Sequence, residues 1–252
     1  MTQPLFLSHL DSPRVGDEVC LSGDEGHHAA DVRRIKPGEI VVIGDGAGMA
    51  VRGPAVKVSK GSLVIQVTEV IKAAESQLHF VAVQALAKSD RAELAIAMLT
   101  EAGVEQVIPW GAERSVVRWS TDRAEKGLAR WRATVREAAK QSRRLRVPVV
   151  ADPLATAELC QRVRNAALAL VLHESASTAL TEIELPSSGE IIFIVGPEGG
   201  LSDAEVDALT TAGGRAVSIS DAVLRTSTAG VVALAQLQAI QQLNSAKGAS
   251  GE

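Results

Sequence analysis

Three short stretches hold the residues best suited to chemistry. Residues 191–200 read Ile-Ile-Phe-Ile-Val-Gly-Pro-Glu-Gly-Gly, an apolar run that breaks into a glycine-rich turn with one carboxylate, Glu198, at its tip. A second apolar run ends in Leu172-His173-Glu174, and a third stretch reads Ser220-Asp221-Ala222-Val223-Leu224-Arg225-Thr226-Ser227-Thr228-Ala229-Gly230. Together they offer backbone donors and acceptors, two carboxylates, an arginine and several hydroxyls. His173 and Glu174 are adjacent, so in extended chain their side chains point to opposite sides, and a hydrolase triad fits poorly. The glycine turn is neither Gly-x-Gly-x-x-Gly nor a phosphate loop ending in Lys-Ser or Lys-Thr. An acid at that tip favours a ligand with cationic character and hydrogen-bonding edges, and a sulfonium compound is such a ligand. The competing reading of the turn alone is a purely structural tight turn.

These stretches must be positioned by alternating strands and helices. Continuous apolar runs bounded by turn residues read as parallel strands covered on both faces, and Ser202 followed by Asp203, Glu205 and Asp207 reads as a helix start. From residue 78 the pattern is strand 78–85, helix 91–102, strand 106–109, a long basic helix 126–143, strand 148–150, helix 156–164 and strand 167–172. It continues with strand 191–195, helix 203–212, strand 216–219 and a final helix from about 227 to 243. That order predicts a mainly parallel α/β sheet with helices on both faces. The three stretches then emerge at one sheet edge, outside the carboxyl ends of the strands, where such sheets bind ligands.

The first 70 residues follow another pattern. Short β-rich pieces at 18–21, 40–43 and 63–70 are separated by glycine-containing turns, which predicts a small barrel. Between the first two pieces, residues 23–35 read as a short helix ending in Arg33 and Arg34. The neighbouring His27 and His28 lack a third ligand at metal spacing, so capping or an RNA-facing role outranks a metal site. Cys20 and Cys160 match no metal or redox spacing. The amino terminus has no basic-then-apolar signal pattern and no apolar run reaches the roughly 18 residues of a membrane span. A cytoplasmic protein without membrane or metal is expected.

The net charge of −4 hides an asymmetry. Between Trp110 and Pro148 lie eleven basic residues, Arg114, Arg118, Arg123, Lys126, Arg130, Arg132, Arg136, Lys140, Arg143, Arg144 and Arg146, against four acids. An excess of this size in one segment is an electrostatic footprint for a polyanion, although a solvated, salt-bridged helix face has the same composition. With three Phe, three Trp and no Tyr, a base-stacking platform is disfavoured. Recognition is then expected to follow the folded shape of an RNA or an assembled subunit.

Several motifs occur together and in order. They are His28-Ala29-Ala30-Asp31-Val32-Arg33-Arg34, Lys88-Ser89-Asp90-Arg91 with Thr100-Glu101-Ala102-Gly103-Val104, and Glu113-Arg114-Ser115-Val116. Arg130-Trp131, Glu137-Ala138-Ala139-Lys140-Gln141-Ser142-Arg143-Arg144 with Pro148, Gly196-Pro197-Glu198-Gly199-Gly200 and Val223-Leu224-Arg225-Thr226-Ser227-Thr228-Ala229 complete the set. Over nearly the whole chain this resembles the RsmE family, uracil-N3 methyltransferases of small-subunit ribosomal RNA in the SPOUT class.

The resemblance implies a PUA-like β-barrel over residues 1–72 and a SPOUT domain over 76–245 with a carboxyl-terminal trefoil knot, followed by a polar tail, 246–252. It implies S-adenosyl-L-methionine as cofactor, 16S rRNA in the small ribosomal subunit as partner, and a homodimer. Cofactor-binding residues are expected at Leu172, His173, Glu174, Val195, Gly196, Pro197, Glu198, Gly199, Gly200, Ile219, Ser220, Val223, Leu224, Arg225, Thr226, Thr228 and Ala229. RNA contacts are expected at His28, Arg33, Arg34, Lys88, Arg91, Arg114, Arg143 and Arg144, chiefly to phosphates. Arg225 is the expected catalytic group, stabilising negative charge on the uracil, with a loop-bracing pair to Asp221 or Glu198 as its alternative. The family usually has Leu-Gly before and Glu-Thr-Ala after its Leu-Arg element, where this chain has Ser220-Asp221 and Ser227-Thr228-Ala229. That departure keeps open a non-catalytic RNA-binding assembly factor, and the fold also serves methyltransferases of tRNA or of a ribose 2′-hydroxyl.

Overall fold

The computed structural model describes residues 3–249. The chain divides into two compact units: residues up to Glu75 together with Arg136–Val147, and Ser76–Val135 together with the chain from Pro148 onward.

The first unit is built on β1 (Leu5–Leu7), β2 (Glu18–Leu21), β3 (Ile40–Gly44), β4 (Met49–Ser59), β5 (Ser62–Gln66) and β6 (Glu69–Lys72). The sheet order is β1-β3-β4-β5-β2, with β6 on β4. A register shift between Ala55 and Lys57 marks a bulge in the long β4, the device that bends a strand between partners. Phe6, Leu21, Val41, Ile43, Val51, Leu63 and Ile65 fill its core, each fully buried side chain contributing about 1.5–3 kcal/mol. After β2 come α1 (Gly23–His27) and a π-helical turn, His28–Val32. The segment 136–147 closes the unit through polar contacts: Arg136 donates to the Leu7 carbonyl at 3.1 Å and pairs with Glu25 at 3.0 Å, and Lys140 pairs with Glu25 at 2.9 Å. Arg146 donates to the Ala47 carbonyl at 2.7 Å. Part of the basic excess thus serves the fold of this unit.

The second unit alternates as expected: β7 (Leu78–Ala85), α2 (Ser89–Ala102), β8 (Gln106–Trp110), α3 (Thr121–Ser142), β9 (Val149–Val150), α4 (Thr156–Asn165), β10 (Leu168–Leu172), β11 (Gly189–Val195), α5 (Asp203–Thr211), β12 (Arg215–Val217) and α6 (Thr226–Ala249). Only the first part of α3 belongs to it. All pairings are parallel, in the order β12-β10-β11-β7-β8-β9. Val81, Val83, Ile108, Trp110, Leu159, Val171, Ile192 and Ile194 form its main core. The three Trp side chains also look inward. Trp110 and Trp131 are buried, and Trp119 stacks edge-on against Trp131 at 5.5 Å.

After β12, Ser218 runs beside the β10–β11 connection, donating to the Thr178 carbonyl at 2.9 Å and accepting from Leu180 at 2.8 Å. The chain then returns as α6, which packs on α2, β7 and β11. Several boundaries differ from expectation: α3 begins at Thr121 rather than 126, and the single β piece expected at 63–70 is two strands, β5 and β6. Near the carboxyl end two more shift. β12 ends at Val217 because Ser218 leaves the sheet for those contacts. α6 continues through Ala249, past the expected end near Leu243, so residues 246–249 of the expected polar tail are helical. No proline interrupts that stretch, and Ser245 bonds back to the Gln241 carbonyl at 3.0 Å. Residues 250–252 of the expected tail lie outside the described residues.

Candidate functional site

Because β12, β10 and β11 are neighbours and parallel, the loops after them leave the sheet side by side. They enclose a cavity of about 480 Å³ in the second unit. Of the residues expected to bind a cofactor, Leu172, His173, Glu174, Val195, Gly196, Pro197, Glu198, Gly199, Gly200, Ile219, Ser220, Val223, Leu224, Arg225, Thr226 and Ala229 line it. Thr228 does not, since its hydroxyl turns back to the Arg225 carbonyl at 3.1 Å. Leu201, Ala222 and Arg91 complete the lining.

The glycine loop is shaped by specific contacts. Gly200 donates to the Pro197 carbonyl at 3.0 Å, closing a turn with Glu198 and Gly199 at its centre. Gly200 has φ +70°, a conformation favouring glycine. A Cβ on Gly199 would lie 3.2 Å from Arg114 Cβ, so the loop and the 113–114 segment are in close approach. Arg114 donates to the Leu201 carbonyl at 2.9 Å, and Glu205 Oε1 accepts the Glu113 N–H at 2.7 Å. Glu205, only 4% exposed, also accepts from the Ser202 N–H at 3.0 Å, completing a capping box at the start of α5.

The third loop is tied in from behind. Thr226 Oγ1 donates to the Gly196 carbonyl at 2.8 Å and accepts from Gln84 Nε2 at 2.9 Å. Gln84 is fully buried in β7. It was not picked out in the sequence, where its one signal is to be the polar exception near the end of an apolar run. On the first loop, the Ser175 N–H donates to His173 Nδ1 at 3.2 Å, so the neutral ring carries its proton on Nε2.

The charged groups separate into two kinds. Glu198 faces Arg91 Nη1 at 3.5 Å. Arg225 is exposed and has no ion pair among the described residues, so the bracing pair with Asp221 or Glu198 is not formed. Asp221 instead accepts from the Ser220 hydroxyl at 3.4 Å. Arg91 and Arg114, expected as RNA contacts, thus lie against the glycine loop. Lys88, at the start of α2, is exposed. In the first unit Arg33, Arg34 and Arg143 are exposed, while His28 sets its ring edge-on to Phe6 at 5.8 Å. Arg144 is half-buried, has a partner of its own, and burial lowers its pKa from the usual guanidinium value. Among the described residues no cluster of three or more His, Cys, Asp or Glu is placed to hold a metal ion, and no helix is long and apolar enough to cross a membrane.

A loop cluster at the carboxyl edge of a parallel sheet, in a chain that begins with a separate small β unit, is an architecture shared with known proteins. The family described as RNA methyltransferase domain matches residues 74–238, and the RNA methyltransferase PUA domain matches residues 14–68. Ribosomal RNA small subunit methyltransferase E of Mycobacterium bovis is 46% identical over 234 residues, covering 91% of this chain and 89% of the relative. The protein of the same name from Bacillus subtilis is 33% identical, covering 86% and 88%. A crystal structure of ribosomal RNA small subunit methyltransferase E from Neisseria gonorrhoeae bound to S-adenosyl methionine aligns with a TM-score of 0.83 at 28% identity, over 95% of this chain and 98% of that one. The chain belongs to the ribosomal RNA small subunit methyltransferase E family.

Proposed function

We propose that this chain is an S-adenosylmethionine-dependent methyltransferase acting on N3 of a specific uridine in 16S rRNA of the small ribosomal subunit. The supporting observation is the convergence of three loops on one cavity that contains two carboxylates and an arginine without an ion pair among the described residues, in a chain whose relatives are named ribosomal RNA small subunit methyltransferase E.

The residues present suit the cofactor. Leu172, Val195, Ile219 and Leu224 supply apolar wall for a purine, with backbone groups of the glycine loop as hydrogen-bonding partners. Glu174 and Glu198 favour positive charge, whereas the first turn of α6, at Thr226 and Ala229, favours a carboxylate. S-adenosylmethionine, when bound, supplies an electrophilic methyl group. Arg225 stabilises the negative charge that develops on the uracil as the N3 proton leaves to water or a carboxylate. Glu198 keeps the shape of the cofactor loop. Because N3 lies on the pairing edge, the uridine must be unpaired or extruded, and orienting it beside the methyl group supplies much of the acceleration, about 7 kcal/mol in favourable cases.

RNA phosphates are held by Arg33, Arg34, Lys88, Arg91, Arg114, Arg143 and Arg144, and His28 lies five residues before Arg33 in the first unit. We further read the passage of residue 218 beside the β10–β11 connection, before the return of α6, as the trefoil threading of the class. The protein works as a homodimer in the cytoplasm, without a metal ion.

The test is nucleoside mass spectrometry of 16S rRNA after small subunits from a strain lacking this gene are incubated with the protein and S-adenosylmethionine. New 3-methyluridine supports the reading. Loss of calorimetric cofactor binding at millimolar concentration assigns the chain to non-catalytic assembly instead, and methylation of tRNA or a ribose hydroxyl redirects the substrate.

A further inference from the structure

Helix ends in this chain reuse one backbone device with two different residues. Past the end of α2, the residue after the helix is Gly103 at φ +97°, with Val104 N–H bonded to the Leu99 carbonyl at 3.0 Å. After α5 and its cap Ala212, the left-handed residue is Gly213 at φ +105°, with Gly214 N–H bonded to the Leu209 carbonyl at 2.9 Å. This left-handed closure satisfies orphan carbonyls and strongly favours glycine. α3 ends with the same bonds, Arg144 N–H to the Ala139 carbonyl at 2.8 Å and Arg143 N–H to the Lys140 carbonyl at 3.2 Å, yet its left-handed residue is Arg143 at φ +57°. The π turn after α1 closes through Ile35 N–H to the Ala29 carbonyl at 3.1 Å, one residue wider, and its left-handed residue is Arg34 at φ +55°.

Both glycine closures belong to the second unit and both arginine closures to the first. A branched-at-nothing glycine adopts this conformation freely, whereas any side chain is strained in it. Neither guanidinium compensates by a local contact: both residues are exposed, and neither has a side-chain partner among the described residues. The favourable interaction of a cation with a helix carboxyl end is available equally to unstrained positions, and α3 already has Lys140 in its last turn. Strain held at exposed residues without an internal partner points outward, to a ligand.

We propose that Arg34 and Arg143 are dedicated phosphate contacts, each fixed by its left-handed backbone so that the side chain leaves the helix end in one direction toward the RNA phosphodiester chain. This rests on the reading of rRNA as substrate and goes beyond it by separating these two arginines from the basic residues that serve the fold, Arg136, Lys140 and Arg146. It also fixes the sign of a trade-off: these two side chains lower stability and raise RNA affinity.

The experiment uses the full-length chain with R34G, R143G and the double variant, and R143K as the charge-preserving control. Thermal midpoints are measured beside binding to small ribosomal subunits from a strain lacking the gene, across a salt series. Each glycine variant is expected to keep or raise its melting temperature while losing about tenfold in affinity, with the salt slope shallower by about one per arginine removed. R143K should keep the slope. Unchanged affinity and slope in the double variant, with wild type binding normally, overturn this inference and leave the substrate reading intact. Affinity lost only together with melting temperature assigns the arginines a structural role and also overturns it. No binding by wild type removes the substrate reading and this inference together.

Discussion

Gln84 and Thr226, 142 residues apart in sequence, share a buried hydrogen bond of 2.9 Å from the Gln84 amide to the Thr226 hydroxyl. The hydroxyl has one proton and spends it on the Gly196 carbonyl at 2.8 Å, so the donor direction is fixed along the chain of three. β7, the start of α6 and the glycine loop are thereby locked behind the cavity. Gln84 Oε1 is buried without a partner, which makes the two ends of this relay unequal. Thr226→Val strands both a carbonyl and an amide and is expected to cost roughly 2–3 kcal/mol. Gln84→Met removes the orphaned oxygen along with the donor and should cost about 1 kcal/mol or less. Guanidinium unfolding of the two variants and their double mutant checks this, and equal single costs, or strictly additive ones, would contradict a shared relay.

Arg225 lines the cavity without an ion pair among the described residues, so removing it disturbs little of the fold. Arg225→Gln is expected to leave S-adenosylmethionine affinity within about threefold while slowing single-turnover methylation of small subunits roughly 100-fold, the usual cost of losing one group that stabilises developing charge. A normal rate with normal cofactor binding would remove the catalytic assignment.

Arg91 opposes the charge that Glu198 would offer a cation. The pair is long, at 3.5 Å, and partly exposed, so its loss should change stability by less than about 1 kcal/mol. Arg91→Gln should therefore raise affinity for S-adenosylmethionine a few-fold without raising affinity for S-adenosylhomocysteine, which lacks the sulfonium charge. Calorimetry with both ligands decides it: a parallel change in the two dissociation constants means that Arg91 acts through packing and not through charge.

The sheet and the three loops around its cavity are legible because each is written locally. Apolar runs such as residues 191–195 stop abruptly at glycine or a charged residue, and parallel order follows from alternation with helices. What could not be seen is set by partners distant in sequence. Arg91 and Arg114 look like any other cations of a basic chain, and only the fold sets them against Glu198 and Leu201, 107 and 87 residues away. Gln84 is a single polar letter in Leu-His-Phe-Val-Ala-Val-Gln-Ala, where its meaning depends on the hydroxyl it meets. Thr228 shows the reverse. It sits inside the third loop by sequence, but one helical turn carries its hydroxyl to the backbone of Arg225.

Glu205 joins two loops that the sequence keeps apart. Its carboxylate accepts from Ser202 at the start of α5 and, with its other oxygen, from the Glu113 N–H at 2.7 Å. A helix cap alone contributes about 1 kcal/mol, so if capping were its whole role, Glu205→Ala and Ser202→Ala would cost alike. Because the buried carboxylate also satisfies the 113–114 segment beside the glycine loop, Glu205→Ala is expected to cost about 2–4 kcal/mol against about 1 kcal/mol for Ser202→Ala. It should also weaken cofactor binding, since Gly199 packs on Arg114. Urea denaturation gives the first comparison and calorimetry the second. Equal destabilisation with unchanged cofactor affinity would reduce Glu205 to a cap.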